Sequence, residues 1–467
     1  MLSSASGNKA WKAGVAEMEP FFEFIVDFCK QNPTLTGVAG IVLMLAIFMT
    51  RMPVAYAMAL VGYAGFSVMI SPKGGLNLLS RSIYETFASY GLTTIPLFIL
   101  MGQLAFNCGI GRRLYDTAYK FLGSTRGGLA MATVTACTAF GAVCGSSPAT
   151  AATMATVGLP EMRRYNYADE LSAGSVASGG GLGMIMPPSV VLIVYGILTE
   201  QSIGALFVAG ILPAIVMTLL FIICVWLWCR LDCTQGPPGE CFSWRSKMRS
   251  ITGMGDTLLV FGLVMGGLFF GLFTPTEAAA VGAFGVLAVA LVRRQIGWAG
   301  IVKSLYETLR TSCMVMFLIA GAVIFGKFLA VTRIPFNLAS WIGGFDLPSY
   351  LILAAIIGVY FIGGCVMDAL ALVMLTIPIF FPIIIDLGYD PIWFGIIIVL
   401  VTQMGVITPP VGINVYVVYG VSKTVVGGIP LEKIFKGIFP FLIAVIIGTI
   451  LMIIFPQIVL VLPNHMY

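Results

Sequence analysis

Residues 437–455, GIFPFLIAVIIGTILMIIF, carry no charged side chain, and neither do Thr34–Thr50 or Leu258–Phe273. An uncharged run of roughly 16–20 residues is long enough to cross about 30 Å of hydrocarbon, where only a helix satisfies all of its own backbone polar groups. Such runs recur along the whole chain, too often for one soluble core. The 467 residues are 59% hydrophobic and 10% charged, with a mean hydropathy of +1.01. An all-α polytopic protein of the lipid bilayer is the expected fold class.

The same composition removes other classes. A formal net charge of +5 suggests no nucleic-acid partner, because the basic residues sit at the ends of apolar runs and act as topology signals. The ten cysteines are scattered and mostly lie inside apolar runs. Cys224, Cys229, Cys233 and Cys241 fall closer together, without the spacing of a metal site. The one histidine, His465, stands near the end of the chain, and no HExxH or Ser/His pairing exists, so hydrolysis by a histidine base is not expected. No organic cofactor is indicated and the chain is not expected to be an enzyme. Residues 1–33 are more polar, with Pro20 before the amphipathic FFEFIVDFCK, and should lie on the membrane interface. They lack the charged start and small-residue cleavage site of a removable signal peptide.

An internal repeat is visible. Pro187-Pro188 in GMIMPP and Pro409-Pro410 in GVITPP are 222 residues apart. IYET at Ile83–Thr86 returns as LYET at Leu305–Thr308, and Pro53 returns as Pro275, at the same offset and in the same order. Three matches at one offset indicate a duplication, with repeats over residues 34–230 and 256–460. The polar stretch 231–255, containing TQGPPGE, is the expected cytoplasmic linker.

Charge then sets orientation. With Arg112, Arg113, Lys120 and Arg126 placed in the cytoplasm, an odd number of crossings per repeat brings most other basic residues to that side too. The second repeat is then inverted relative to the first, an architecture of secondary transporters. Arg126 and Arg163 border about 36 residues, too many for one span and basic at each end. A re-entrant hairpin over about 127–162, with CGSSPAT (Cys144–Thr150) at its tip, accounts for both facts. Its counterpart over about 348–386 carries GGCVMDALAL (Gly363–Leu372) near the tip and has Asp346 and Asp386 at its borders.

The paired prolines give the repeat its chemistry. Proline donates no amide hydrogen and disfavours helix in the residue before it, so IMPP and ITPP should interrupt their helices in mid-span. Irregular backbone at that depth is tolerated where it is buried in protein or lines a cavity, and its carbonyls are hard oxygen ligands for a small cation. Each break should face its hairpin tip, where Ser146, Ser147 and the region of Asp368 add oxygens, while half-helix N-termini attract an anion. Asp368 looks the most buried of the carboxylates, and an intramembrane carboxylate is a functional candidate.

GSSPATAATMATVGLPEMRRYNY, GLGMIMPPSVVLIVYGILTEQSIGALFVAGILP, FTPTEAAAVGA, MDALAL and GVITPPVGINVYVV together resemble the large membrane subunit of tripartite ATP-independent periplasmic (TRAP) transporters, from about Thr34 onward. The resemblance implies a bacterial inner-membrane protein working by an elevator mechanism, in which a domain holding both hairpins slides, driven by sodium. It implies two partners, a small membrane subunit and a periplasmic substrate-binding protein that delivers an organic acid anion, a carboxylate or sulfonate. Sodium sites map onto Ser146, Gly183, Met186 and Pro188, and onto Gly364, Gly405, Thr408 and Pro410. Ser147, Thr150, Asp368 and Asn414 become the candidate substrate contacts. Cys144 departs from the pattern at a position that is serine in some members. A self-sufficient ion-coupled carrier, needing no binding protein, would show the same repeats and breaks.

Overall fold

A computed structural model describes residues 26–50, 52–343 and 348–466. The interfacial segment expected over residues 1–33 falls mostly outside them. Among the described residues the chain is helical, without strands. Among the described residues seven helices are long and apolar enough to cross a membrane, or up to nine if each of two bent helix pairs counts as one span.

The chain divides into two compact units, and the division does not follow the repeats: each unit takes residues from both. The first unit is Met1–Ser89 with Met314–Leu347. It contains α1 (Pro33–Met49), α2 (Val54–Met69), α3 (Pro72–Ala88), the later part of α13 (Trp298–Val331) and α14 (Ile334–Gly343). Small residues bring its helices together, as is usual where no hydrophobic force separates helix from lipid. A Cβ on Gly62 would stand 2.8 Å from the Phe325 backbone. Asn337 Nδ2 donates to Thr34 Oγ1 at 2.6 Å, and the Phe317 ring meets those of Tyr56 and Phe87.

The second unit is Tyr90–Cys313 with Pro348–Tyr467. It opens with α4 (Thr94–Asn107) and α5 (Ile110–Leu122). The first helical hairpin follows as α6 (Gly128–Cys144) and α7 (Ser147–Arg164), and then the broken pair α8 (Asp169–Ile185) and α9 (Val190–Thr199). The long α10 (Ile203–Leu231) leads to the linker, then to α11 (Trp244–Phe269) and α12 (Pro275–Val292). Thr274 and Glu277 cap α12 reciprocally, each accepting the other's backbone N–H. After α13 come the second hairpin, α15 (Ser349–Val366) and α16 (Ala369–Asp386), and the second broken pair, α17 (Pro391–Ile407) and α18 (Ile413–Val425). The chain closes with α19 (Leu431–Ile454) and α20 (Gln457–Leu460).

Packing in this unit has a two-fold pattern. Each hairpin lays its first helix on the pre-break helix of its own repeat, α6 on α8 and α15 on α17. Each lays its second helix on the post-break helix of the other repeat, α7 on α18 and α16 on α9. The linker is fastened down. Its backbone bonds Gly127 N–H to Gly236 O (2.9 Å), Gly239 N–H to Gly123 O (2.8 Å) and Ala168 N–H to Gln235 O (2.9 Å), strapping it across the foot of the first hairpin. Hydrogen bonds from Thr234 and Gln235 hold the Asp232 carboxyl below the usual carboxylate range.

Candidate functional site

In an α-helix each carbonyl accepts from the amide four residues on. Four residues after Gly183 and Met184 stand Pro187 and Pro188, and four after Gly405 and Val406 stand Pro409 and Pro410. The helices stop where those donors vanish. α8 ends at Ile185 and α17 at Ile407, and the next residues, Met186 (ψ 122°) and Thr408 (ψ 144°), are extended. Both Pro-Pro peptides are cis.

Each break is pressed onto the tip of its own repeat's hairpin. Gly145, at φ 64°, ends α6, and a Cβ there would strike the Pro188 carbonyl oxygen. A Cβ on Gly183 would strike the Thr150 hydroxyl and stand 3.1 Å from the Ser146 carbonyl oxygen. Ser146, Gly183 and Pro188 are thereby gathered with Thr150, while Met186 follows Gly183 by one helical turn. Ser146 O accepts from Thr150 N–H at 3.0 Å, and the Ser146 hydroxyl leaves the N-terminus of α7 without a side-chain cap. The Thr150 hydroxyl lies beside the Cys144 thiol but is buried without a hydrogen bond of ordinary geometry.

In the second repeat the contact is backbone on backbone. A Cβ on Gly405 would strike the Gly364 carbonyl carbon and stand 2.7 Å from the Cys365 amide nitrogen. Val411 N–H donates to Cys365 O at 3.3 Å. Thr408 returns its N–H to Gly405 O (3.0 Å) and its hydroxyl to Met404 O (2.5 Å), so the Thr408 oxygen keeps its lone pairs for another group. Pro410 is exposed, whereas Pro188 is buried.

Asn414 joins the two halves. It is fully buried in the first turn of α18, and its Nδ2 donates to Ser147 Oγ (2.8 Å) at the first tip and to Ala177 O (3.0 Å) on α8. Ser147 and Asn414, two of the expected substrate contacts, are thus brought together, with Thr150 one turn along α7. Asp368 is not with them. It is exposed, not the buried carboxylate that its apolar neighbours suggest, and its Oδ2 accepts Leu370 N–H at 3.1 Å as the cap of α16. Apolar neighbours in sequence do not cover a residue at the apex of a hairpin.

Among the described residues no three His, Cys, Asp or Glu side chains cluster as metal ligands. A cation at these junctions would therefore rest on carbonyls and hydroxyls, the donors suited to a hard monovalent ion.

Gln403 is the polar residue that sequence reasoning missed. It is 0% exposed, and neither amide atom has a hydrogen-bond partner, an arrangement that calls for explanation in a buried group. Its neighbour across the α8–α17 crossing is Gly181, where a Cβ would stand 2.6 Å from Gln403 Cγ. The two positions are 222 residues apart, the offset of the repeat. A lone amide in IIIVLVTQMGVI was the available signal.

The chain is similar to known proteins. Residues 41–458 match the family described as "Tripartite ATP-independent periplasmic transporter, DctM component". The C4-dicarboxylate TRAP transporter large permease protein DctM of Pseudomonas aeruginosa is 36% identical over 85% of this chain and 92% of its own. The isethionate TRAP transporter permease protein DctMQ of Oleidesulfovibrio alaskensis is 32% identical over 92% of this chain, which spans 65% of that protein. The sialic acid TRAP transporter large permease protein SiaM of Vibrio cholerae is 30% identical over 90% and 96%. The crystal structure of the YdaH transporter of Alcanivorax borkumensis has the same fold at 14% identity, with a TM-score of 0.58 over 82% of this chain and 90% of that one. These are transport proteins, not enzymes. The chain belongs to the DctM family, the large permeases of TRAP transporters, and is a multi-pass protein of the bacterial inner membrane.

Proposed function

We propose that this permease takes up an organic acid anion, a carboxylate or sulfonate, by coupling its movement to sodium. The observation that carries the reading is the seating of each proline break on a hairpin tip, which collects backbone oxygens where a helix has lost its donors. One sodium ion is held by Ser146, Gly183, Met186 and Pro188, the other by Gly364, Gly405, Thr408 and Pro410. The anion meets the first tip. There α7 begins without a side-chain cap and the Thr150 hydroxyl, in the first turn of that helix, is unpartnered, so a positive helix end and a buried hydroxyl both lie at this tip. Ser147 and Asn414 complete that contact by opening their mutual hydrogen bond. At the second tip the Asp368 carboxylate already occupies the helix N-terminus.

The two hairpins and both breaks belong to one compact unit, which suits an elevator in which the sites cross the bilayer together. The names of the relatives make a small membrane subunit and a periplasmic binding protein the expected partners. The test is uptake by proteoliposomes holding this chain and its small subunit, with the binding protein outside. Uptake should require external sodium and the binding protein. Unchanged uptake with potassium or choline in place of sodium would overturn the coupling, and uptake without the binding protein would make the chain a self-sufficient carrier.

A further inference from the structure

We propose that a cleft between the end of α10 and the foot of the first hairpin binds the phosphate group of an anionic phospholipid. Thr125, Arg126, Trp226 and Arg230 line a cavity of about 400 Å³ there, away from both tips and both breaks. The Arg230 guanidinium lies 5.0 Å from the centre of the Trp226 ring, a cation–π pair in the last turns of a membrane-spanning helix. Tryptophan at such a position sits at headgroup depth. Arg126 enters from the other side, its Nη1 donating to Cys233 Sγ at 2.7 Å, which ties it to the linker strap.

Both arginines want an anion. Among the described residues neither has a carboxylate within ion-pair range. Asp232, two residues from Arg230, has both oxygens engaged by Thr234 and Gln235. Two guanidinium forks over an aromatic face match the oxygens of a phosphate diester, and basic pockets at the cytoplasmic ends of spans are a recurrent headgroup site. An inorganic phosphate would satisfy the arginines equally. The lipid is favoured by what adjoins the cleft: Ile215, Leu219, Ile223 and Leu227 form an exposed i, i+4 ridge along α10, a track for an acyl chain whose headgroup is held at Arg230.

The test uses the full chain in detergent, with lipid retention read by native mass spectrometry during titration. Phosphatidylglycerol should bind, and Arg126→Gln with Arg230→Gln should weaken it roughly 30-fold, since each basic contact near a headgroup contributes about a factor of five. Trp226→Leu should weaken it about 2- to 5-fold. Arg245→Gln with Arg249→Gln removes equal charge from exposed linker-side positions and should leave binding within about twofold. Inorganic phosphate at millimolar concentration should not displace the lipid. Equal losses in the two double variants, or an unchanged affinity in the first, would overturn the site. Displacement by phosphate would overturn the lipid as its occupant. Unfolding temperatures in lipid-free detergent, expected to match wild type, separate lost binding from lost fold.

Discussion

The two break–tip junctions are one design in two environments. In the first, Gly145, Pro188, Thr150 and Ser147 are all buried, and Asn414 closes the tip from the opposite repeat. In the second, Asp368, Pro409 and Pro410 are exposed, and the contact rests on the bare backbones of Gly364 and Gly405. The two junctions share the broken helix and differ in what surrounds it. Equivalent residues at the two junctions should therefore respond differently to the same change.

The largest contrast is expected between Gly145 and Met367, equivalent positions at the two tips. Gly145→Ala puts a side chain into left-handed backbone, costing about 1–2 kcal/mol, and drives its Cβ against the Pro188 carbonyl. Its unfolding temperature in detergent should fall by several degrees and its sodium requirement should rise. Met367→Ala, at φ −119°, should do neither. Equal behaviour of the two would show that the first tip is not held by its break.

Next comes Asn414→Leu, which keeps volume but leaves Ser147 Oγ and Ala177 O without their partner. Unpaired buried groups cost about 1–3 kcal/mol, visible as a lower unfolding temperature, with loss of uptake if Asn414 also meets the anion. Wild-type stability together with wild-type uptake would remove it from the site.

Thr408→Val and Met186→Leu compare the two residues that precede the prolines. Thr408 offers an oxygen whose hydrogen is already given to Met404 O, whereas Met186 offers only a backbone carbonyl. Loss of the Thr408 ligand should raise the sodium concentration for half-maximal uptake roughly 5- to 150-fold, equivalent to about 1–3 kcal/mol. Met186→Leu conserves volume and should be nearly silent. An unchanged sodium dependence in Thr408→Val leaves only its backbone in the proposal. A small effect is also expected of Asp368→Asn. It keeps a capping oxygen and removes a charge at the apex of the hairpin, so half-saturation should move by no more than about twofold. Abolished uptake would mean that the exposed tip becomes enclosed during transport.

Much of this was legible in the sequence, for identifiable reasons. Prolines 187, 188, 409 and 410 remove specific amide donors wherever they stand, so the breaks follow from covalent chemistry alone. Tip residues such as Gly145 and Ser146 follow from a segment too long for one span. What the sequence hid was lateral. Nothing in its order says that Asn414 reaches Ser147, 267 residues away, because that contact depends on each hairpin lying against the other repeat's helix. Asp368 misled for the same reason: its covering is decided by neighbours in space. Gln403 was visible as an anomaly, yet its meaning needed the facing glycine.

That facing pair bears on how two similar halves fit each other. On a two-fold axis each copy must present one position to itself, so an identical residue there meets its own image. Two glutamines would collide at that crossing, and two glycines would leave a hole. Gly181 opposite Gln403 is a socket and a peg, so each half fits its counterpart more closely than it would fit a second copy of itself.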